Sequence, residues 1–204
     1  MNDSLSTRQR LLAVSREMFA TRGYRGTSIR EITRAANANL GAVTYHFGTK
    51  QKLYEAVLSG VFSKIGELIE TASQLDGGPA ERLAAVVRAL FRFFREAPDV
   101  PHLMAHELAA GGGLPAFLAP YLQRNLAAIR RVVEAGITAG TFRPVDPNLV
   151  AFSVISQVVW FAIVGRSLIA LTGMPIEHDH LADRMEHHVI DIITRFLAQE
   201  AGSP

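Results

Sequence analysis

An all-α fold is predicted by three features of the chain. Apolar residues recur at the spacing of an amphipathic helix through most of its length. No segment before Leu53 alternates apolar and polar residues with period two, the mark of a half-buried strand. Gly23, Asn37 and Gly48 fall between the periodic stretches, where helices stop. Apolar residues make up 49% of the 204 positions and charged residues 20%, enough to bury a core.

The elements follow in order. Leu11, Val14 and Met18, with Leu12 and Phe19, mark a helix over Thr7–Thr21, with Thr7 as its cap and Gly23 as its stop. Ser28-Ile29-Arg30-Glu31 fits a capping box and opens a second helix carrying Ile32 and Ala36. Asn37 suits a tight turn, because Asn tolerates positive φ better than other side chains. Asn39 can cap a short third helix ending near His46, and a fourth starts near Lys50. Beyond it, helices are expected over Pro79–Ala97 and His102–Ala110, with Pro98 and Pro101 breaking the chain between them. Others are expected from Phe117 to Gly136 or beyond, over Asn148–Thr172 and over His180–Ala198.

Composition excludes several functions. With no cysteine there is no disulfide scaffold, thiolate metal site or cysteine nucleophile. The N-terminal residues lack an apolar signal core, so a cytoplasmic protein is expected. Net charge is only +2, but it is unevenly placed. Residues 1–52 hold nine Arg/Lys against three acids, net +6, and the remainder is net −4. A basic quarter on a mildly acidic body suggests that the N-terminal part meets a polyanion, although a solvated basic surface looks the same by charge alone.

Two short helices joined by a tight turn after a longer packing helix form a helix-turn-helix. The stretch from Thr7 to about Leu53 resembles the DNA-binding domain of the TetR family of bacterial transcriptional repressors. Phe19, Gly23, Tyr24, Thr27, Ser28, Ile32, Ala35, Ala36, Gly41, Tyr45, Phe47, Lys50 and Leu53 carry the match. It departs at Asn37, where the family most often has Gly, and at Leu40 and Thr44, so no base preference is carried over. The resemblance implies a helix-turn-helix DNA-binding domain over 1–53 and a larger helical ligand-binding and dimerisation domain over 54–204.

The second helix of such a pair lies in the major groove while the first crosses the backbone. Asn39, Leu40, Gly41, Thr44 and Tyr45 are then the exposed reading positions. Gly41 admits close backbone approach, and Thr44 can bond a base edge or touch a thymine methyl. Asn39 could read adenine or be used as the cap. Phosphate contacts fall to Thr27 or Ser28, to Tyr45 and His46, and to Lys50, with Arg25 and Arg30 as backbone neighbours. Arg8 and Arg10 could simply decorate the first helix. Val43 and Phe47 follow the core period. A single module buries little surface, so a two-fold homodimer reading two half-sites of double-stranded operator DNA is expected.

By the same resemblance, the last two helices of each subunit form a four-helix dimer interface, placing Phe152, Ile155, Val159, Val189, Ile193 and Phe196 there. Pro147–Gly165 is uncharged and approaches a membrane span in length. Ser153, Ser156 and Gln157 interrupt it, so it reads as an interface helix and no membrane partner is expected. The resemblance also implies a small-molecule effector pocket in the middle helices. Phe91, Phe94, Met104, Phe117, Tyr121, Trp160 and Phe161 are candidate lining, with His102 and His106 as polar handles; ordinary core packing is the plainer role for each. Neither the His102/His106 pair nor the cluster His178, His180, His187 and His188 has a fixed third ligand, so no metal or cofactor is expected. The competing class is a small helical metal- or ligand-binding enzyme without DNA binding. No nucleophile elbow, His-Glu-x-x-His pair or Gly-rich nucleotide loop supports it.

Overall fold

The computed structural model describes residues 6–109, 113–173 and 180–199. Its order is α1 (Thr7–Arg22), α2 (Ile29–Ala35), α3 (Gly41–Phe47), α4 (Lys50–Ser73), α5 (Pro79–Glu96), α6 (Val100–Ala109), a 3₁₀ turn (Ala116–Leu118), α7 (Ala119–Thr138), α8 (Pro147–Thr172) and α9 (Leu181–Leu197). Among the described residues the sole β pairing is an isolated antiparallel bridge between Phe142 and Ala198. The all-α expectation holds.

Local chemistry sets the helix ends, with three differences from expectation. The cap of α1 is Ser6, one residue before Thr7, in a reciprocal capping box with Gln9. Pro101 lies inside the first turn of α6, where its missing N–H has no helical acceptor to lose. No side-chain bond caps α3: Asn39 is not used that way, and Ala42 N–H bonds the Asn39 carbonyl at 3.1 Å instead. The Ser28–Glu31 box does form at α2, and Asn37 adopts φ 48° in the following turn. His178 lies outside the described residues.

The chain divides into two compact units. The first comprises the described residues of Met1–Ser63 and Pro98–Leu118, so α6 belongs with α1–α3 despite its place in the sequence. Its core holds Leu11, Phe19, Ile32, Val43, Leu53 and Leu58, all fully buried. Phe19 meets Tyr54 edge-on at 4.8 Å, and Tyr24 lies 5.0 Å from Tyr54. Helix α6 packs on α1, and Arg16 Nε pairs with Asp99 at 2.6 Å beside that seam.

The second unit comprises Lys64–Ala97 and the described residues of Ala119–Pro204. Helix α5 touches α7, α8 and α9, which explains why Leu83, Val86, Val87, Leu90, Phe91, Phe93 and Phe94 are buried over so much of its circumference. Gly136 on α7 faces the Phe142 ring so closely that a Cβ there would overlap it. Arg131 bonds both Glu70 carboxylate oxygens at 2.8 and 2.9 Å, and Arg95 pairs with Asp183 at 2.7 Å. The uncharged stretch of α8 is long and apolar enough to cross a membrane, yet only 28% of it is buried in the single chain. The outer face of α8 as a whole carries Leu149, Phe152, Trp160, Leu168 and Leu171, all exposed.

Candidate nucleic-acid interface

Helix α3 has two faces. Ala42 and Val43 are buried against the first unit's core. Leu40, Gly41, Thr44 and Tyr45 face outward, Tyr45 being 84% exposed and Leu40 54%. The Leu40 and Tyr45 side chains stand clear of the core and can lie against base edges or sugars. A Cβ at Gly41 would meet only Asn39 Oδ1, at 3.6 Å, so the position is open and the backbone is accessible from outside. Asn39 is exposed beside it. Gly48 stops α3 at φ 82°, its N–H bonding the Val43 and Thr44 carbonyls. Thr49 then caps α4 by accepting from Lys52 N–H at 3.1 Å.

The structure separates the proposed phosphate contacts. Thr27 is a correction: it is 2% exposed, and its hydroxyl donates to the carbonyls of Gly23 at 2.9 Å and Met18 at 3.2 Å. It pins the α1–α2 connection and has no reach to solvent. Ser28 is exposed but engaged with Glu31, whose carboxylate accepts from the Ser28 hydroxyl at 2.6 Å and its N–H at 3.0 Å. Those bonds, with Arg22 at 2.9 Å, hold the Glu31 carboxyl below the usual carboxylate range. Lys50 donates to the Tyr24 carbonyl at 2.5 Å and sits 4.2 Å over the Tyr24 ring. Desolvation lowers its pKa, partly opposed by the charge of Glu31. His46 is half-buried, its ring 4.8 Å from that of Tyr45. Phe47 is half-buried too, with the Arg8 guanidinium 5.3 Å over its ring.

Much of the basic quarter is thus engaged inside the unit: Arg16 with Asp99, Arg22 with Glu31, Lys52 with Glu55 and Lys50 with Tyr24. Arg25, Arg30 and Arg34 stand exposed. Arg30 and Arg34 are four residues apart on α2, so they share one face of the helix that crosses the backbone in a helix-turn-helix. Sequence reasoning missed Arg34, though its spacing from Arg30 was the available signal.

The remaining candidates divide between the units. His102, Met104, His106 and Phe117 lie in the first; Phe91, Phe94, Tyr121, Trp160 and Phe161 lie in the second. In the first, Met104 is buried, His102 and His106 are exposed, and the His106 ring lies against Gly23. In the second, Phe91 and Phe94 are core residues, the Phe91 ring is 6.0 Å from Phe161, and Trp160 is exposed on α8. Of the interface candidates, Phe152 and Phe196 are exposed and Ile155 and Val159 partly so. Val189 and Ile193 are corrections: at 1% and 5% exposure they pack inside their own chain, because α9 turns that edge toward the core. Ile192, next to Ile193, is the exposed neighbour.

The model of bacterial regulatory proteins of the tetR family matches residues 11–57, and that of the tetracyclin repressor-like C-terminal domain matches residues 79–193, more than half of the chain. The HTH-type transcriptional repressor KstR2 of Rhodococcus jostii (strain RHA1) is 30% identical over 177 residues, covering 76% of this chain and 78% of that protein. A bacterial regulatory protein of the tetR family from Rhodococcus RHA1 has the same fold, with a TM-score of 0.77, 21% identity and coverage of 97% of this chain and 100% of that one. AibR, solved with isovaleryl coenzyme A and operator DNA, aligns with a TM-score of 0.69 at 21% identity over 90% of this chain and 97% of that one. An outward-facing α3 on a packed helical head and these matches agree: the chain belongs to the tetR family of bacterial regulatory proteins and is a ligand-responsive, DNA-binding transcriptional regulator rather than an enzyme.

Proposed function

We propose that two copies of this chain bind a palindromic operator, each laying α3 in the major groove and α2 across the backbone, and that an apolar small molecule releases them. The outward face of α3 carries this reading. Leu40, Thr44 and Tyr45 supply side chains to base edges, Gly41 admits the backbone, and Arg25, Arg30 and Arg34 supply positive charge nearby. Asn39 and His46 complete the contact surface; Ser28 and Lys50 join it only through what their bonds to Glu31 and Tyr24 leave over, for Lys50 the remaining donors of its ammonium group. Symmetric pairing through the exposed faces of α8 and α9, with Leu149, Phe152, Trp160 and Phe196 at the contact, would match the two-fold symmetry of the operator. Occupying the operator represses transcription, and the work is cytoplasmic, where bacterial DNA lies.

The partly exposed aromatic residues Tyr121 and Phe161 of the second unit favour an apolar effector. The isovaleryl coenzyme A bound to AibR, and the ketosteroid regulation named for KstR2 of Mycobacterium tuberculosis, make acyl-coenzyme A thioesters and steroids the first compounds to test. A gel shift against DNA upstream of the chain's own gene tests the proposal. The expected result is one complex of two chains per duplex, lost on adding a compound of the panel. A tight complex of one chain per duplex, or no shift at any concentration, would contradict it.

A further inference from the structure

Two arginines of α1 meet the helix-turn-helix at opposite ends of its second half. Arg10 Nε donates to the Ala36 carbonyl at 3.2 Å, while its Nη2 donates to Thr7 Oγ1 at 3.2 Å, fastening the side chain along α1. Ala36 ends α2 and is buried. The last carbonyls of a helix lack helical donors, and burial denies them water, so a guanidinium there satisfies an acceptor and places positive charge at the negative helix end. The next residue, Asn37, holds the left-handed conformation, and α3 then starts at Gly41, after Leu40, without a side-chain cap. The start of α3 therefore depends on whatever fixes Ala36. At the other end, the Arg8 guanidinium covers the ring of Phe47, the last residue of α3.

We propose that Arg8 and Arg10 are positioning residues for α3, fixing its pose at both ends instead of binding phosphate, as a basic N-terminal residue would otherwise suggest. The inference rests on the reading of α3 as the DNA probe. It has a distinctive consequence. Loss of a phosphate contact weakens every duplex alike and flattens the dependence of log K on log salt by about one unit. Loss of a brace weakens only the duplex that requires the correct pose.

The test uses Arg10→Lys, which keeps the charge and the fold but cannot reproduce a fork bonded to Ala36 and Thr7 together. The probes are a duplex selected by the wild-type chain from a random pool and a scrambled duplex of the same length. The expected result is about tenfold weaker binding to the selected duplex, in line with losing a charge-assisted hydrogen bond. Binding to the scrambled duplex should change less than about twofold, and the salt dependence should be unaltered. In the free protein, amide exchange should accelerate over residues 37–47 and stay unchanged in α5. Equal weakening of both duplexes with a flatter salt dependence, or unchanged exchange over 37–47, would overturn the proposal. If the wild-type chain selects no sequence, the operator reading fails, while the exchange measurement still decides whether Arg10 braces α3.

Discussion

The phenol of Tyr54 on α4 donates a hydrogen bond to the carboxylate of Glu107 on α6. Tyr54 is buried among Phe19 and Tyr24, so its hydroxyl has few alternatives to that acceptor. Burial first, and the Glu107 carboxylate second, push the Tyr54 pKa well above the usual tyrosine range. A group whose folded pKa is raised contributes stability below its unfolded pKa and loses it as pH rises beyond that value. Wild-type stability should therefore fall above about pH 10, the ordinary tyrosine pKa. Tyr54→Phe should remove that part of the slope and cost about 1–3 kcal/mol near neutrality, because the carboxylate loses its donor. Denaturant melts of both proteins from neutral to alkaline pH measure the difference; parallel profiles would refute it.

The capping box of α2 gives a pH dependence of opposite sign. The Ser28 bonds hold the Glu31 pKa low, so its contribution is present above the unfolded carboxylate pKa and is lost as pH falls through the folded value. Ser28→Ala should cost about 1 kcal/mol at neutral pH, as loss of a helix cap typically does. It should also flatten the acid limb of the stability profile, which thermal melts across the acid range would show.

Charge on α2 should be read as salt dependence. Arg34→Ala is expected to weaken all duplexes alike and to lower the salt slope by about one unit, with a similar further loss in the Arg30→Ala, Arg34→Ala double variant. Fluorescence anisotropy at several salt concentrations measures this. An unchanged slope would leave these arginines as solvated surface.

The uncovered face of α8 predicts the oligomeric state. Phe152→Asp or Trp160→Glu places charge on an exposed apolar surface, so the single chain should remain folded while self-association weakens strongly. Sedimentation velocity against concentration would show the shift. If both variants associate like the wild type, the contact lies elsewhere.

What could be read beforehand followed the range of the interactions. The Ser28–Glu31 box, the Asn37 turn and the Gly23 stop depend on residues a few positions apart, and each was legible as a local pattern. The buried face of α3 was legible from the core period at Val43. Thr27 was assigned to phosphate because a hydroxyl at a helix N-terminus can donate to one, and only the tertiary path of α1 shows that hydroxyl bonded to Gly23 and Met18. Arg10 was opaque for the same reason, with its acceptor 26 residues away. On α9, Val189 and Ile193 were placed at the dimer interface by the family resemblance, which assigns a pair of helices to that interface and does not say which edge of the apolar face meets its own chain.

The central claim is that the exposed face of α3 reads base sequence. Selection from a random duplex pool by the wild-type chain and by Thr44→Ala tests it most directly. The wild type should enrich an inverted repeat, and Thr44→Ala should enrich the same repeat with preference relaxed at one symmetric pair of positions. No enriched sequence, or identical preferences from both proteins, would contradict it.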